Sequence, residues 1–214
     1  MLDGFVISSI PFHIQDLFGT FIFGITGGMK AIEHKLDIVG VIVLSDTAGL
    51  AGGIIRDVVL GRTPPIAIID PSYIIIASIA GISILLLYQF LKNLMKLFLT
   101  FDVFGLGIFS LLGANIAYSI FGFNLIIMIV SGIITAVGGG VLRDIFVNEI
   151  PLVFKKELYV SLSFAGVLLF FIMLNLGMTV VFSTMLGIIF ITSCRIAAIK
   201  YNWNLPTRIF GDTN

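Results

Sequence analysis

The chain has 214 residues, of which 58% are hydrophobic and 11% are charged, with a formal net charge of zero and a mean hydropathy of +1.16. This balance excludes an ordinary soluble domain, and the lack of net positive charge argues against nucleic-acid binding. The single cysteine, Cys194, excludes an internal disulfide and disfavours a cysteine-ligated metal site.

Apolar stretches of about 20 residues follow one another along almost the whole sequence, as in a helical membrane bundle. We predict seven spans, at about 13–31, 38–61, 71–91, 100–120, 123–147, 157–175 and 178–198. The predicted fold class is therefore all-α integral membrane, with residues 1–214 forming a single transmembrane domain. The N-terminal residues lack the positive start and cleavage site of a signal peptide, so the first helix is expected to stay attached.

Positive charges are distributed unequally between the two sides that seven spans define. One side receives Lys30, Lys35, Lys92, Lys96, Lys155, Lys156, Arg195, Lys200 and Arg208, whereas the loops of the other side hold only Arg62 unambiguously. By the positive-inside rule the first of these sides is cytoplasmic. We therefore predict a multi-pass protein of the cell inner (plasma) membrane, with the N-terminus outside and the C-terminus in the cytoplasm.

An internal repeat is visible in two motifs. Asp16-Leu-Phe-Gly19 recurs as Asp102-Val-Phe-Gly105, with an offset of 86 residues. Gly52-Gly-Ile-Ile-Arg-Asp57 recurs as Gly139-Gly-Val-Leu-Arg-Asp144, with an offset of 87 residues, and each copy is followed by a proline. Each unit holds three helices, an odd number, so the second unit must enter the membrane from the opposite side. We predict inverted repeats at about 12–91 and 98–175, followed by a seventh helix at about 178–198.

Glycines interrupt the second and fifth predicted helices. The stretches are Ala48-Gly-Leu-Ala-Gly-Gly53 and Ala136-Val-Gly-Gly-Gly140. Each glycine costs about 1 kcal/mol of helix stability, so a run of them favours a bend or break. Irregular backbone at this depth is tolerated only against protein or a water-filled cavity. We therefore predict kinks at these glycines and a wet interior.

Small and polar residues form matching stripes on the same two helices. Ser45, Gly49, Gly52 and Arg56 are spaced for one face of the second helix, and Gly139 and Arg143 belong to the equivalent stripe of the fifth. A charged side chain facing lipid is costly, so these residues are expected to face inward. The predicted ion pathway comprises Ser45, Asp46, Thr47, Gly49, Gly52, Gly53, Arg56, Asp57, Ser131, Thr135, Gly138, Gly139, Gly140, Arg143 and Asp144.

Asp46 is the most central ionisable residue and the favoured site within this pathway. Arg56 and Arg143 fall toward opposite ends, so each is expected to pair locally rather than share one carboxylate. Alternatively, the glycines serve only close helix packing and the arginines anchor helix ends at an interface. The acids Asp16 and Asp102 are expected to open the first and fourth helices, where they favour the helix dipole; their symmetry also permits a role in a vestibule.

No catalytic triad, histidine metal motif or nucleotide-binding pattern is present in the sequence, so an enzyme is not expected. No cofactor and no tightly bound metal are predicted. Membrane lipid is a candidate bound molecule.

The duplicated Gly-Gly-x-x-Arg-Asp motif, the two three-helix repeats and the seventh helix resemble the prokaryotic branch of the trimeric intracellular cation (TRIC) channel family. The matching residues are Gly52, Gly53, Arg56, Asp57, Gly138, Gly139, Gly140, Arg143 and Asp144. The resemblance implies a homotrimer in which each subunit holds its own water-filled pore, bordered by the kinked second and fifth helices. It also implies conduction of monovalent cations such as potassium.

Two other functions remain open at the level of sequence. Related bacterial sequences are described as glycine transporters, and inverted repeats with broken helices are common in carriers, so a secondary transporter of a small amino acid such as glycine is the main alternative. A non-conducting scaffold, in which the buried charges only join helices, is the third hypothesis.

Overall fold

The computed structural model describes residues 10–91, 93–155, 158–201 and 203. Within these residues, seven helices have 16 residues or more. They are α1 (Ile10–Glu33), α2 (Ile38–Val59), α3 (Pro71–Leu87), α4 (Leu94–Phe121), α5 (Leu125–Phe146), α6 (Val160–Asn175) and α7 (Val180–Lys200). Short helical turns at Ile66–Ile69, Tyr88–Phe90 and Leu152–Lys155 connect some of them. Lys92, Lys156 and Arg208, which contribute to the predicted charge asymmetry, lie outside the described residues.

Among the described residues, five helical segments are long and apolar enough to cross a membrane: Ile38–Val59, Pro71–Phe90, Met95–Phe121, Leu125–Phe146 and Val180–Lys200. α6 is apolar but has only 16 residues, about 24 Å at 1.5 Å per residue. α1 has 24 residues and includes Asp16, Lys30 and Glu33. The structure is therefore an all-helical membrane protein, and the crossing of α1 and α6 stays a prediction.

Side-chain caps set the starts of most of the long helices. Asp37, Asp70, Asn93, Asn124 and Thr179 each accept a hydrogen bond from a backbone N–H in the first turn of the helix that follows. Such caps satisfy donors that the helix itself leaves unpaired. The cap at Asn93 explains why α4 begins six residues before the predicted span.

The early starts of α1 and α4 change the interpretation of two acids. Asp16 and Asp102 lie well inside their helices, and neither helix has an acidic residue in its first turn. The prediction that these acids serve the helix dipole is therefore wrong. Both carboxylates are buried and pair with arginines, as described below.

The glycine runs do not interrupt α2 or α5, which are continuous α-helices from Ile38 to Val59 and from Leu125 to Phe146. A Cβ on Gly52 would overlap the carbonyl oxygen of Thr135, and a Cβ on Gly139 would overlap that of Ala48. The glycines therefore let the two backbones touch at the helix crossing. The predicted break is wrong, while a smooth bend without loss of helical hydrogen bonds stays a prediction.

Contacts between α1 and α4 are reciprocal. The ring of Phe23 packs where a Cβ on Gly105 would lie, and the ring of Phe109 packs on Gly19 in the same way. The two phenylalanine rings stack on each other with centroids 5.2 Å apart. Moving forward along α1 means moving backward along α4, so equivalent helices of the two repeats are antiparallel. The Gly52 and Gly139 contacts of α2 with α5 follow the same rule, and together they describe a local two-fold axis.

α7 removes this symmetry because it packs against α4 and α6 of the second repeat. Asn115 of α4 donates a hydrogen bond to Thr184 of α7, with 2.8 Å between nitrogen and oxygen. Arg195 of α7 donates to the carbonyl of Leu158 at 3.0 Å and lies 5.0 Å from the ring centre of Tyr159. The second repeat is therefore covered by an additional helix.

Candidate functional site: two buried charge clusters

The first cluster consists of Asp16, Arg56, Asp57 and Tyr73, all of them buried. Arg56 Nε donates to Asp57 Oδ1 at 2.9 Å, and Arg56 Nη2 lies 3.7 Å from Asp16 Oδ2. The Tyr73 hydroxyl donates to Asp16 Oδ2 at 3.0 Å. Helices α1, α2 and α3 thus meet at one arginine that faces two carboxylates.

The second cluster contains the equivalent residues Asp102, Arg143, Asp144 and Tyr159, and these are also buried. Arg143 Nε donates to Asp144 Oδ1 at 2.8 Å, and Arg143 Nη1 lies 3.4 Å from Asp102 Oδ1. Tyr159 lies close to Asp102 and interacts with its carboxylate. The prediction that the two arginines pair locally, each with acids of its own repeat, is therefore confirmed.

The aspartates of the two Arg-Asp motifs also fix the connections that follow. Asp57 Oδ2 accepts from the backbone N–H of Ile66 at 3.0 Å, and Asp144 Oδ2 accepts from that of Leu152 at 3.0 Å. Arg62 Nη1 adds a further bond to Asp57 Oδ1 at 3.1 Å. One carboxylate therefore holds an arginine with one oxygen and a loop with the other.

The two arginines differ in how fully they are satisfied. Arg143 Nη1 donates to the Thr26 hydroxyl at 2.8 Å, and its guanidinium lies 4.6 Å from the ring centre of Phe98. Arg56 Nη1 and Nη2 are buried and have no hydrogen-bonding partner within the part of the chain that the structure describes. Leaving such a donor dry costs about 1–3 kcal/mol, so the Arg56 end is suited to a polar molecule that enters from outside.

A cavity of about 530 Å³, here called the vestibule, adjoins the first cluster. It is lined by Phe12, His13, Asp16, Arg62, Ile66, Ile69, Asp70, Pro71, Tyr73, Leu112 and Ile116. The cavity beside Arg143, Asp144 and Tyr159 in the second cluster measures about 10 Å³. One cluster is therefore open to a large cavity, and the other is enclosed.

Additional charges lie beyond the second cluster, where α1 ends. The buried Lys30 Nζ donates to Glu149 Oε1 at 2.8 Å and lies 3.0 Å from Glu33 Oε2. His34 Nε2 is 3.3 Å from the same Glu149 oxygen. Glu33, His34 and Glu149 hold potential metal-ligand atoms within 4.8 Å of one another, but the Lys30 ammonium already pairs with both carboxylates.

Glu149 should make stability depend on acid pH. Burial alone would raise the pKa of Glu149, but the hydrogen bond and charge of Lys30, with His34 and Lys155, bring it below its ordinary value. The ion pair is thus fully formed above about pH 4.3 and is lost as pH falls through the lowered pKa. We expect the thermal midpoints of wild type and Glu149→Gln to differ at neutral pH and to converge in acid. A difference that stays unchanged as the pH falls through the acid range, until the protein unfolds, would contradict this.

The structure places several predicted pathway residues in helix packing. A Cβ on Gly49 would lie 2.9 Å from the carbonyl oxygen of Thr20, and Ser45 is enclosed between α1 and α3. Ser131 donates to the Gly113 carbonyl at 2.7 Å, and Thr135 donates to that of Ser131 at 2.6 Å. These contacts favour the alternative that this part of the stripe serves close packing between helices.

The other predicted pathway residues lie in several different environments, and their place in a pathway stays a prediction. Gly53 lies beside the guanidinium of Arg56, and Gly140 lies beside that of Arg143. A Cβ on these glycines would be 3.5 and 3.6 Å from the nearest guanidinium nitrogen, respectively. Gly138 lies at the α2–α5 crossing. Asp46 is half-buried and accepts from the Ser78 hydroxyl of α3 at 3.0 Å, apart from both clusters. Thr47 donates to the Val43 carbonyl of its own helix.

Sequence reasoning missed the tyrosines of both clusters and the aromatic rings around them. Their signal is the repeat offset itself, because Tyr73 and Tyr159 are 86 residues apart. The same offset relates Phe23 to Phe109, the stacked pair. Applying the offset to every residue of the first unit, rather than to its motifs alone, would have identified them.

Solved structures of similar fold include members of the TRIC channel family. A structure described as the basis for conductance through TRIC cation channels has a TM-score of 0.83 and 36% identity, covering 94% of this chain and 98% of that one. The TRIC orthologue from Rhodobacter sphaeroides has a TM-score of 0.87 and 28% identity, covering 91% and 100%. The chain belongs to the TRIC family. The resemblance of the duplicated motif is thereby confirmed.

The other comparisons agree with TRIC membership. A family model described as glycine transporter matches twice, at residues 13–89 and 99–175. A UPF0126 membrane protein of Vibrio cholerae is 33% identical over 196 residues, covering 91% of this chain and 82% of the relative. The membrane relatives and the TRIC channel structures confirm the expectation that this chain is a membrane protein and not an enzyme.

Proposed function

We propose that the chain forms a cation-conducting pathway that enters through the vestibule and passes from the first charge cluster to the second. The observation that carries the proposal is the buried Asp16 carboxylate at the wall of a cavity of about 530 Å³. A water-filled space beside a fixed negative charge lets a cation leave bulk water at lower cost. Potassium is the proposed ion, as the TRIC family resemblance implies.

The formal charge of each cluster supports cation selectivity. Each contains one arginine and two aspartates, so its net charge is −1 when all three are ionised. At the first cluster Arg62, which pairs with Asp57, balances this charge. Asp70 adds a carboxylate at the vestibule wall, and hydrogen bonds from Ser72 lower the pKa of Asp70, which keeps it ionised at neutral pH. Because the arginines are held by acids, they reduce the negative potential without reversing it.

The exposed surface of the single chain supports a place in the membrane and contact with other subunits. Large apolar side chains such as Ile38, Val39, Phe90 and Ile126 are exposed on the single chain, as surfaces that contact lipid or another subunit require. We place the protein in the inner membrane as a homotrimer, with membrane lipid around it, the N-terminus outside and the C-terminus in the cytoplasm. Each subunit holds its own pathway.

A small amino-acid carrier is the second candidate, and one observation favours it. The two Nη atoms of Arg56, which have no hydrogen-bonding partner among the described residues, lie beside Asp16. A zwitterion could therefore place its carboxylate on the guanidinium and its ammonium on the aspartate. Saturable glycine uptake without ionic current would support the carrier and contradict the channel.

Neutralising Asp16 should weaken the preference for cations. We expect Asp16→Asn to lower the potassium-to-chloride permeability ratio of the reconstituted protein, because the vestibule wall loses a fixed negative charge. Asp46→Asn is the comparison, since it tests whether the pathway also passes the middle of α2. Equal permeability to both ions in wild type, unchanged by either substitution, contradicts a cation channel.

A further inference from the structure

The local two-fold axis allows the two ends of the pathway to be compared residue by residue. Applying the repeat offsets to the wall of the vestibule gives Phe98 as the equivalent of Phe12, and Lys30 as the equivalent of Ile116. Arg62, also on the wall, is equivalent to Glu149. Three of the positions that border the vestibule at one end are therefore occupied by Lys30, Phe98 and Glu149 at the other.

We propose that Lys30, Phe98 and Glu149 form a latch that closes the pathway at the end opposite the vestibule. Lys30 Nζ donates to Glu149 at 2.8 Å and lies 5.3 Å from the ring centre of Phe98. Arg143 also lies against this ring, with its guanidinium 4.6 Å from the ring centre. The latch thus stacks directly on the second cluster, where the adjoining cavity is about 10 Å³.

Composition explains why only one end is latched. At the vestibule, Ile116 and Arg62 cannot pair with each other, whereas Lys30 and Glu149 carry opposite charges. Lys30 is 4% exposed, so its ammonium needs the carboxylates of Glu149 and Glu33 to remain charged there. The aromatic face of Phe98 adds cation–π attraction. Separating Lys30 from Glu149 would leave a space like the vestibule beside Arg143.

The latch rests on the proposed function, because it closes the pathway proposed there, but it can be tested without current. Thr26 lies directly behind the latch, where its hydroxyl accepts from Arg143. Its equivalent at the other end is Leu112, which lines the vestibule. A cysteine at either position, in a Cys194→Ser background, reports whether a charged, water-soluble methanethiosulfonate reaches it.

We expect the Leu112→Cys protein to react at least tenfold faster than the Thr26→Cys protein while the latch is intact. Adding Lys30→Gln to the Thr26→Cys protein should raise the rate of methanethiosulfonate modification at least tenfold. Adding Glu149→Gln instead removes the other partner of the same ion pair and should have the same effect. Lys155→Gln is the matched control, because Lys155 lies 3.8 Å from Glu149 but is 43% exposed and outside the latch. It should leave the rate within about twofold, as an exposed ion pair contributes little.

Equal rates at Thr26→Cys with and without both latch substitutions overturn the proposal, provided that the variants elute as the wild type does in size-exclusion chromatography. If Lys30→Gln fails to fold, Glu149→Gln alone decides. Faster modification in latch variants, together with a lack of potassium current in wild type and variants, would uphold the latch and contradict the channel.

Discussion

Replacing Arg143 with alanine is expected to cause a large loss of stability, of about 3–5 kcal/mol. The substitution leaves the buried carboxylates of Asp102 and Asp144 without their cation, and it removes the contact with Phe98. Repulsion between two unpaired buried acids adds to the loss of their hydrogen bonds. The measurement is the thermal unfolding midpoint of the purified protein in detergent, with the fraction recovered as a monodisperse species.

Arg62→Ala is the matched control for this experiment. Arg62 also bonds to a motif aspartate, at 3.1 Å, but its side chain is 20% exposed, and Asp57 keeps Arg56 as a partner. We expect it to cost about 1 kcal/mol or less. Equal midpoints for Arg143→Ala and Arg62→Ala would show that Arg143 is not the centre of a tightly packed ionic cluster.

Gly139→Ala should also be severely destabilising, although alanine is the better helix former by about 1 kcal/mol. Its Cβ would overlap the carbonyl oxygen of Ala48, so α2 and α5 would have to separate. The neighbouring Gly140→Ala meets nothing closer than 3.6 Å, where Arg143 Nη2 lies. It should therefore be neutral or slightly stabilising.

Gly139 and Gly140 are adjacent on the same helix, so the two alanine substitutions have the same effect on helix propensity and lie at nearly the same depth in the membrane. Thermal midpoints of both proteins, and of the equivalent pair Gly52→Ala and Gly53→Ala, measure the effect of the crossing alone. Similar midpoints for Gly139→Ala and Gly140→Ala would contradict the backbone contact. The comparison also distinguishes the glycines at the helix crossing, Gly52 and Gly139, from those beside the arginines, Gly53 and Gly140.

Hydropathy was sufficient to predict most helix positions, because apolar length determines what can lie in a bilayer. The starts of α1 and α4 were predicted too late, since a span estimate follows apolar residues and does not register a polar cap such as Asn93. That error moved Asp16 and Asp102 to helix ends and hid their pairing with Arg56 and Arg143.

The charge clusters were partly predictable. Their arginines and motif aspartates stand out because ionised residues are rare in apolar spans. The glycines were harder, since helical spacing alone cannot distinguish a glycine that admits a neighbouring backbone, such as Gly52, from one beside a guanidinium, such as Gly53. The latch was not predictable from either motif, because Lys30 and Glu149 are 119 residues apart and belong to different repeats.

Planar-bilayer recording of the purified protein in a potassium chloride gradient tests the central proposal most directly. A cation pathway between the two charge clusters predicts discrete current steps that reverse near the potassium equilibrium potential. Asp16→Asn should shift that reversal toward zero. Recordings without steps, or steps that reverse near zero or near the chloride potential in wild type, would contradict a cation-selective pathway.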